Sequence, residues 1–363
     1  MKGPGAGTVP LSSRLPELDF ARGLAVLFMV AVHTLLLFSN EATIGSVYGV
    51  VVSFLGGAPA APVFMFLMGA GIVFSSKQDP LSLAKRGLLI FGIGYLLNFL
   101  RGSLPTLTGY LAVRDPRLLT AALHEALTVD ILQFAGLSLL LFALVVYSRR
   151  RVVAAVGAAL MCMALQFVLA GIEVENPLAG AAAGLLWGAS EHSYFPFLSW
   201  AVYPLAGFVF GHVVRSSPDR KKFYTGLLAV GTALTVAAVT VTIILLGVDI
   251  GFLDAYRYYH QGAVGNIVFL SFILAWLPVM FFLIGIIRGP AAQALKRWSY
   301  NVTPIYCIHW VILGWLTFLI ETSSADVVVT FLVTAGVFAT ADLLAHLYTG
   351  WKRRGGPVRA SQS

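Results

Sequence analysis

Charge is what this sequence has least of. Asp, Glu, Lys and Arg together make up 11% of its 363 residues, against 58% hydrophobic residues; a soluble domain carries about 25% charge. A water-facing globular surface cannot be built from so little, so soluble classes are excluded. Cysteine is almost absent as well. Cys162 and Cys307 both fall in apolar runs, which supports neither a disulfide framework nor a thiolate metal site. The HExxH, CxxC, GxSxG and glycine-rich phosphate-loop motifs are missing, leaving zinc hydrolysis, serine-hydrolase chemistry and P-loop chemistry unsupported; no metal is expected. The first ten residues hold one Lys and no apolar core, so no cleavable signal peptide is expected, and the first span is expected to serve as the insertion signal.

Long apolar runs take the place of what is missing. They recur at about 18–39, 48–75, 84–101, 127–147, 151–170, 195–214, 223–246, 264–287, 299–320 and 326–347. Each is long enough to approach or exceed the thickness of a bilayer core, and mean hydropathy is +0.86. The expected fold class is an all-α polytopic membrane protein of about ten transmembrane helices. Residues 1–16 are expected to be a mobile cytosolic arm, 17–350 a single transmembrane domain, and 351–363 a basic cytosolic tail. The net charge of +8 is not a nucleic-acid signal, because the basic residues sit in short loops between apolar runs. With the N-terminus cytosolic, twenty Lys and Arg fall on the inner side and four (Arg101, Arg114, Arg117, Arg257) on the outer side. That asymmetry puts both termini inside. Three longer outer loops, about 102–126, 171–194 and 247–263, carry His124, Glu125, Glu173, Glu175, Glu191, His192, Asp254, Tyr256, Tyr258, Tyr259 and His260. Long loops often hold binding residues; linking spans and covering the bundle is the plainer role.

The most informative stretch is the first span. Arg22 stands at its entrance and His33 well inside. Eleven residues are close to three helical turns, so the two share a face, and at 1.5 Å per residue His33 lies about 16 Å deeper. Asp19 is placed at i,i+3 to orient the Arg22 guanidinium. A His inside a span is a functional candidate because a polar group in hydrocarbon is costly; the alternative is a hydrogen bond that only joins helices. His309, in a span opened by Asn301 and Thr303, carries the same two readings. Pro59 and Pro62 interrupt the second run, and such breaks are tolerated where backbone lines a cavity or is buried in protein; Gly69 and Gly71 permit close helix approach. Asn98, Arg101, Asp130 and Gln133 could form a polar mouth to a cavity or simply pair with one another.

The segment Asp19 to His33 resembles the opening of the acyltransferase 3 family, where an Arg and a His separated by ten residues mark the first span. The stretch from Arg14 to Leu24, Ala61-Pro-Val-Phe-Met-Phe-Leu-Met-Gly69, Phe195 to Gly211 and Ser299-Tyr-Asn-Val-Thr-Pro-Ile-Tyr-Cys-Ile-His309 are similar to the heparan-alpha-glucosaminide N-acetyltransferase-like proteins. Those relatives have Asn near the place of His33 and an active His in the following loop. Residues 40–49 contain no His here, so the chain sides with the acyltransferase 3 arrangement at that position. The resemblance implies transfer of an acyl group, often acetyl, from cytosolic acyl-CoA to a hydroxyl or amine of a glycan or lipid-linked sugar on the far side. It also implies an integral, multi-pass location, expected in a bacterial inner membrane. On the residues themselves, Arg22, Lys85, Arg86 and Arg297 would hold the CoA phosphates at the inner face, and His33 would act as general base or acyl carrier. Asp19, His309 and Asn301 would support them. The competing expectation is a solute transporter, favoured by the broken helices and buried polar groups. Oligomeric state is open.

Overall fold

The structure, a computed structural model, describes residues 15–354 apart from 175, 191, 246 and 248–257. The expected N-terminal arm up to residue 14 and the tail from 355 therefore lie outside the described residues. So do Glu175, Glu191, Asp254, Tyr256 and Arg257 of the expected outer loops.

The described residues form helices throughout, joined by short turns, with two isolated bridges between extended residues. Helix α1 (Pro16–Phe38) is followed by the short α2 (Glu41–Ile44), then α3 (Val47–Gly56) and α4 (Ala61–Val73). Next come α5 (Pro80–Asn98), a π-helical turn at Phe99–Ser103, α6 (Leu104–Val113), α7 (Arg117–Leu127), α8 (Ile131–Tyr147) and α9 (Arg151–Leu169). After α10 (Pro177–Trp187), α11 (Phe197–Trp200) and α12 (Val202–Ser216) comes α13 (Arg220–Thr240). The chain closes with α14 (Ala263–Leu283), α15 (Pro290–Tyr300), α16 (Val302–Leu316) and α17 (Val327–Arg354). Among the described residues, eight helical segments are long and apolar enough to cross a membrane, and α8 and α16 are shorter apolar helices. The chain is an all-α polytopic membrane protein.

Local chemistry starts these helices. Pro16, Pro62, Pro80 and Pro290 occupy first-turn positions, where a missing N–H costs nothing. Asp79 and Asp219 accept hydrogen bonds from the backbone N–H of Ser82 (2.8 Å) and Lys222 (2.9 Å). Asp130 and Gln133 form a capping box at the start of α8, satisfying donors that the first turn leaves open.

The expected outer loop at 102–126 is instead two helices, α6 and α7. Arg114 takes a left-handed backbone conformation (φ 58°) and ends α6; α7 is amphipathic, buries Ala122 and accepts a hydrogen bond at the Ala122 carbonyl from Ser103 (2.8 Å). The segment 171–194 likewise contains α10. The second run breaks at 57–60, and Pro62 opens the resumed helix rather than kinking it.

Small residues decide how closely the helices pack. A side chain on Gly69 would overlap the Pro204 carbonyl, and one on Gly207 would overlap the carbonyl of Phe66, so α4 and α12 meet backbone to backbone. A side chain on Gly314 would overlap the carbonyl of Arg101, which lets α16 press against the π-helical turn. Gly71, expected to serve helix approach, has the Arg22 guanidinium as its nearest neighbour, 3.6 Å from where a Cβ would stand. It leaves room for a side chain instead. At the opposite end of α1, Ser39 bonds Thr330 (2.8 Å) and Asn40 N–H bonds the Ala325 carbonyl (3.0 Å), so α1 and α17 run antiparallel.

Candidate active site

Three cavities lie in series along α1. The first, about 390 Å³, sits at the Arg22 end and is lined by Asp19, Arg22, Arg86, Ser299 and Thr303 among others. The second is a constriction of about 20 Å³. It shares Phe64, Leu132, Val302 and Thr303 with the first cavity, and Met29, Ala60, Ala61, Ile131 and Tyr306 with the third. The third, about 80 Å³, is lined by His33, Asp130, Tyr258, Tyr259 and Tyr306. The helical register that places Arg22 and His33 on one face thus places them in the first and last of three adjoining spaces.

Arg22 is held in place. Its Nη1 donates to Asp19 Oδ1 (3.2 Å) and, at 3.5 Å, to Ser299 Oγ; its Nη2 donates to the Leu67 carbonyl (3.3 Å). Ser299 in turn donates to Asp19 (3.1 Å). Arg86 lines the same cavity from α5. The other two cations of the expected phosphate set stand apart from it. Lys85 is exposed on α5 and is not part of the lining. Arg297 is ion-paired with Asp342 on α17, with Nε at 3.1 Å from Oδ1, and also lies off the cavity. Asn301 is buried at the junction of α15 and α16, where its carbonyl accepts from the Ile305 N–H (2.9 Å); it lines none of the three spaces.

At the other end, His33 meets His309. The Nδ1 of His33 lies 3.0 Å from the Nε2 of His309, and the Nδ1 of His309 lies 3.2 Å from the carbonyl of Ile305, one turn back on α16. A carbonyl oxygen only accepts, so His309 Nδ1 carries the proton. A neutral imidazole has one N–H, so His309 Nε2 is bare and accepts from His33 Nδ1. His33 then keeps the lone pair on Nε2, and His33 is the histidine that borders the cavity. His309 is fully buried. The i,i+4 carbonyl therefore sets the tautomer of both rings.

A second polar group closes around this pair. Arg101 and Asp130, both buried, form an ion pair at 2.6 Å; Tyr306 donates to the same Asp130 oxygen (2.8 Å), and Arg101 also bonds Asn98 Oδ1 (3.2 Å). The Arg101 guanidinium stacks over Trp310 at 4.2 Å, and the Trp310 ring lies 4.3 Å from His33. Arg101 and Asp130 thus pair with each other, and Asp130 also lines the cavity. Tyr258 donates to the Gly57 carbonyl (3.2 Å), which lies in the break between α3 and α4 and also accepts the Ala60 N–H (3.1 Å). Burial, with Tyr259 and Tyr203 nearby, raises the Tyr258 phenol well above its ordinary value, so it stays a donor. Sequence reasoning passed over Tyr306 and Trp310. Their signal was available: Tyr306 precedes His309 by three residues, one face of one helix.

Among the described residues no cluster of His, Cys, Asp or Glu has the spacing of a metal site. The arrangement puts two arginines on one cavity, a narrow apolar passage beyond it and an imidazole with a free ring nitrogen on the last space, a group able to take up a proton. In comparison with known proteins, residues 14–246 match the family described as heparan-alpha-glucosaminide N-acetyltransferase, catalytic. The match takes in Arg22, His33, Arg101 and Asp130 and ends before His309. No curated protein matches the chain.

Proposed function

The chain belongs to the heparan-alpha-glucosaminide N-acetyltransferase catalytic family, and on that premise we propose that it moves an acetyl group from acetyl-CoA, bound at the Arg22 end, to the amine of a glycan-type acceptor at His33. The observation that carries this reading is the series of spaces between Arg22 and His33. Along α1 the two residues are separated by about 16 Å. From the diphosphate to the thioester carbonyl, the pantetheine arm has roughly the length of five extended residues, also about 16 Å. A donor whose phosphates rest on Arg22 and Arg86 presents its thioester at His33. The arm threads the constriction beside Met29 and Phe64, which excludes water along the way.

The chemistry then needs one base. His33 Nε2 takes a proton from the acceptor nitrogen as the nitrogen lone pair forms a bond to the thioester carbonyl carbon. The tetrahedral centre collapses, the C–S bond breaks, and the leaving thiolate takes the proton back from His33. Products are the acetamide and CoA thiol, with atoms and charge balanced. His309 holds His33 in the tautomer this requires. With the basic ends of the helices in the cytosol, the donor is cytosolic and the acceptor lies on the opposite side.

The test is turnover of labelled acetyl-CoA by the purified protein with an amino-sugar acceptor. CoA release coupled to an acetylated acceptor is the expected result. Movement of an intact amino sugar across vesicles without CoA release would favour transport instead.

A further inference from the structure

We infer that the acceptor enters the His33 cavity sideways from the lipid, and that it is therefore an amphiphile: a sugar amine carried on a long apolar tail. This rests on the acyl-transfer reading above and adds the acceptor's class and its route.

The wall of the cavity opposite α1 is tied together by hydrogen bonds and ring packing. Trp200 Nε1 donates to the Tyr259 carbonyl (2.8 Å), Gln261 Nε2 donates to the Tyr258 carbonyl (2.8 Å), and Phe195 packs edge-on against Tyr259 (5.2 Å between ring centres). Asp130 is committed to Arg101 and Tyr306. The near wall is different. It is built from Val32 and Leu36 of α1 and Ile44 of α2. Leu36 is 47% exposed, the most of any lining residue among the described residues. Beside it, α3 carries no charge and presents Val47, Val50 and Val51 outward, a surface that only lipid covers favourably. The mouth of the cavity is thus aliphatic and continuous with the lipid-facing side of the bundle.

The rim is also fixed. Thr43 donates to the Ala325 carbonyl (3.1 Å) and Asn40 caps α2 through the N–H of Thr43 (2.8 Å), which ties the turn after α1 to the start of α17. A soluble polyhydroxylated chain would shed its water to cross such a rim without gaining a hydrogen bond. An apolar tail seated there gains about fourfold in binding per buried methylene. The sugar then lies inside, against Tyr259, Phe195 and Asp130, within reach of His33.

The full chain in lipid nanodiscs, with acetyl-CoA as donor, is offered dodecyl β-D-glucosaminide and methyl β-D-glucosaminide. Two methylenes held at the rim make kcat/KM at least about tenfold higher for the dodecyl probe. Partition of that probe into the bilayer also raises its local concentration, so variants separate the two causes. Leu36→Trp blocks the rim and drives the ratio toward that of partition alone. Val47→Trp, on the same lipid-facing side but off the cavity, leaves the ratio as in the wild type. The inference is overturned if Leu36→Trp lowers the use of both probes equally or changes neither. It also falls if the wild type takes the two probes alike, or takes neither while cleaving acetyl-CoA. A protein that neither binds nor cleaves acetyl-CoA refutes the acyl-transfer reading itself.

Discussion

His309→Phe is the most discriminating perturbation of the site. The ring is fully buried and bonds His33 on one side and the Ile305 carbonyl on the other. Phenylalanine fills a similar volume but cannot accept from His33 Nδ1–H. The donor is left unpaired beside Trp310, at a cost of about 1–3 kcal/mol. His33 escapes that cost by moving its proton to Nε2, the tautomer that cannot act as base toward the cavity. Turnover should therefore fall about 5- to 150-fold, while acetyl-CoA affinity, set some 16 Å away at Arg22, stays as in the wild type. His309→Gln, whose amide oxygen can still accept, should recover part of the loss. His33→Gln removes the base outright and should cost about 10²- to 10⁴-fold. The double variant His33→Gln/His309→Phe should be no slower than His33→Gln alone, because His309 acts only through His33. The assay is single-turnover acetyl transfer with CoA binding measured on the same folded, detergent-purified samples. Losses that add, or a silent His309→Phe, would refute the relay and leave the pair as a link between helices.

Three further outcomes follow from the geometry. Arg22→Ala should weaken acetyl-CoA binding about 10- to 150-fold, the worth of a charge-assisted hydrogen bond of roughly 1.5–3 kcal/mol, with Arg22→Lys recovering only part because it lacks the planar fork; isothermal titration checks both. Asp130→Asn should destabilise the bundle by about 3–5 kcal/mol, since it strands the buried Arg101, and thermal unfolding in detergent reads the loss. Gly69→Val should lower the melting temperature sharply, because its side chain has no space at the Pro204 carbonyl, whereas Gly92→Val, with nothing within 4 Å of a Cβ, should not.

Much of this molecule is legible one helix at a time. Hydropathy and segment length identify the apolar helices, because a bilayer core demands a run of apolar residues whatever the neighbours are; of the ten runs expected, eight correspond among the described residues to helical segments long enough to cross and two to the shorter α8 and α16. Helical periodicity alone puts Arg22 and His33 on one face, since that relation is set by 3.6 residues per turn within a single helix. The i,i+3 placement of Asp19 beside Arg22 is local in the same way and is present in the fold at 3.2 Å. The break near Pro59 is readable because proline removes a backbone donor wherever it stands.

What lies between helices is not readable so. Lys85, Arg86 and Arg297 look alike as basic residues at the ends of spans, but only Arg86 lines the Arg22 cavity, and Arg297 is held by Asp342, 45 residues away. Nothing local distinguishes them. His33 and His309 are 276 residues apart, and they meet because α1 and α16 pack together in the bundle. Around that contact the bundle depends on missing side chains, at Gly23, where α1 meets the Leu295 backbone of α15, and at Gly314, where α16 meets the Arg101 backbone of the π-helical turn, and their consequence appears only when two backbones are in contact. Tautomer, buried ion pair and passage follow from such contacts between helices, so only tertiary structure brings these groups together, while composition and periodicity already set the apolar helices and the face of α1 that Arg22 and His33 share.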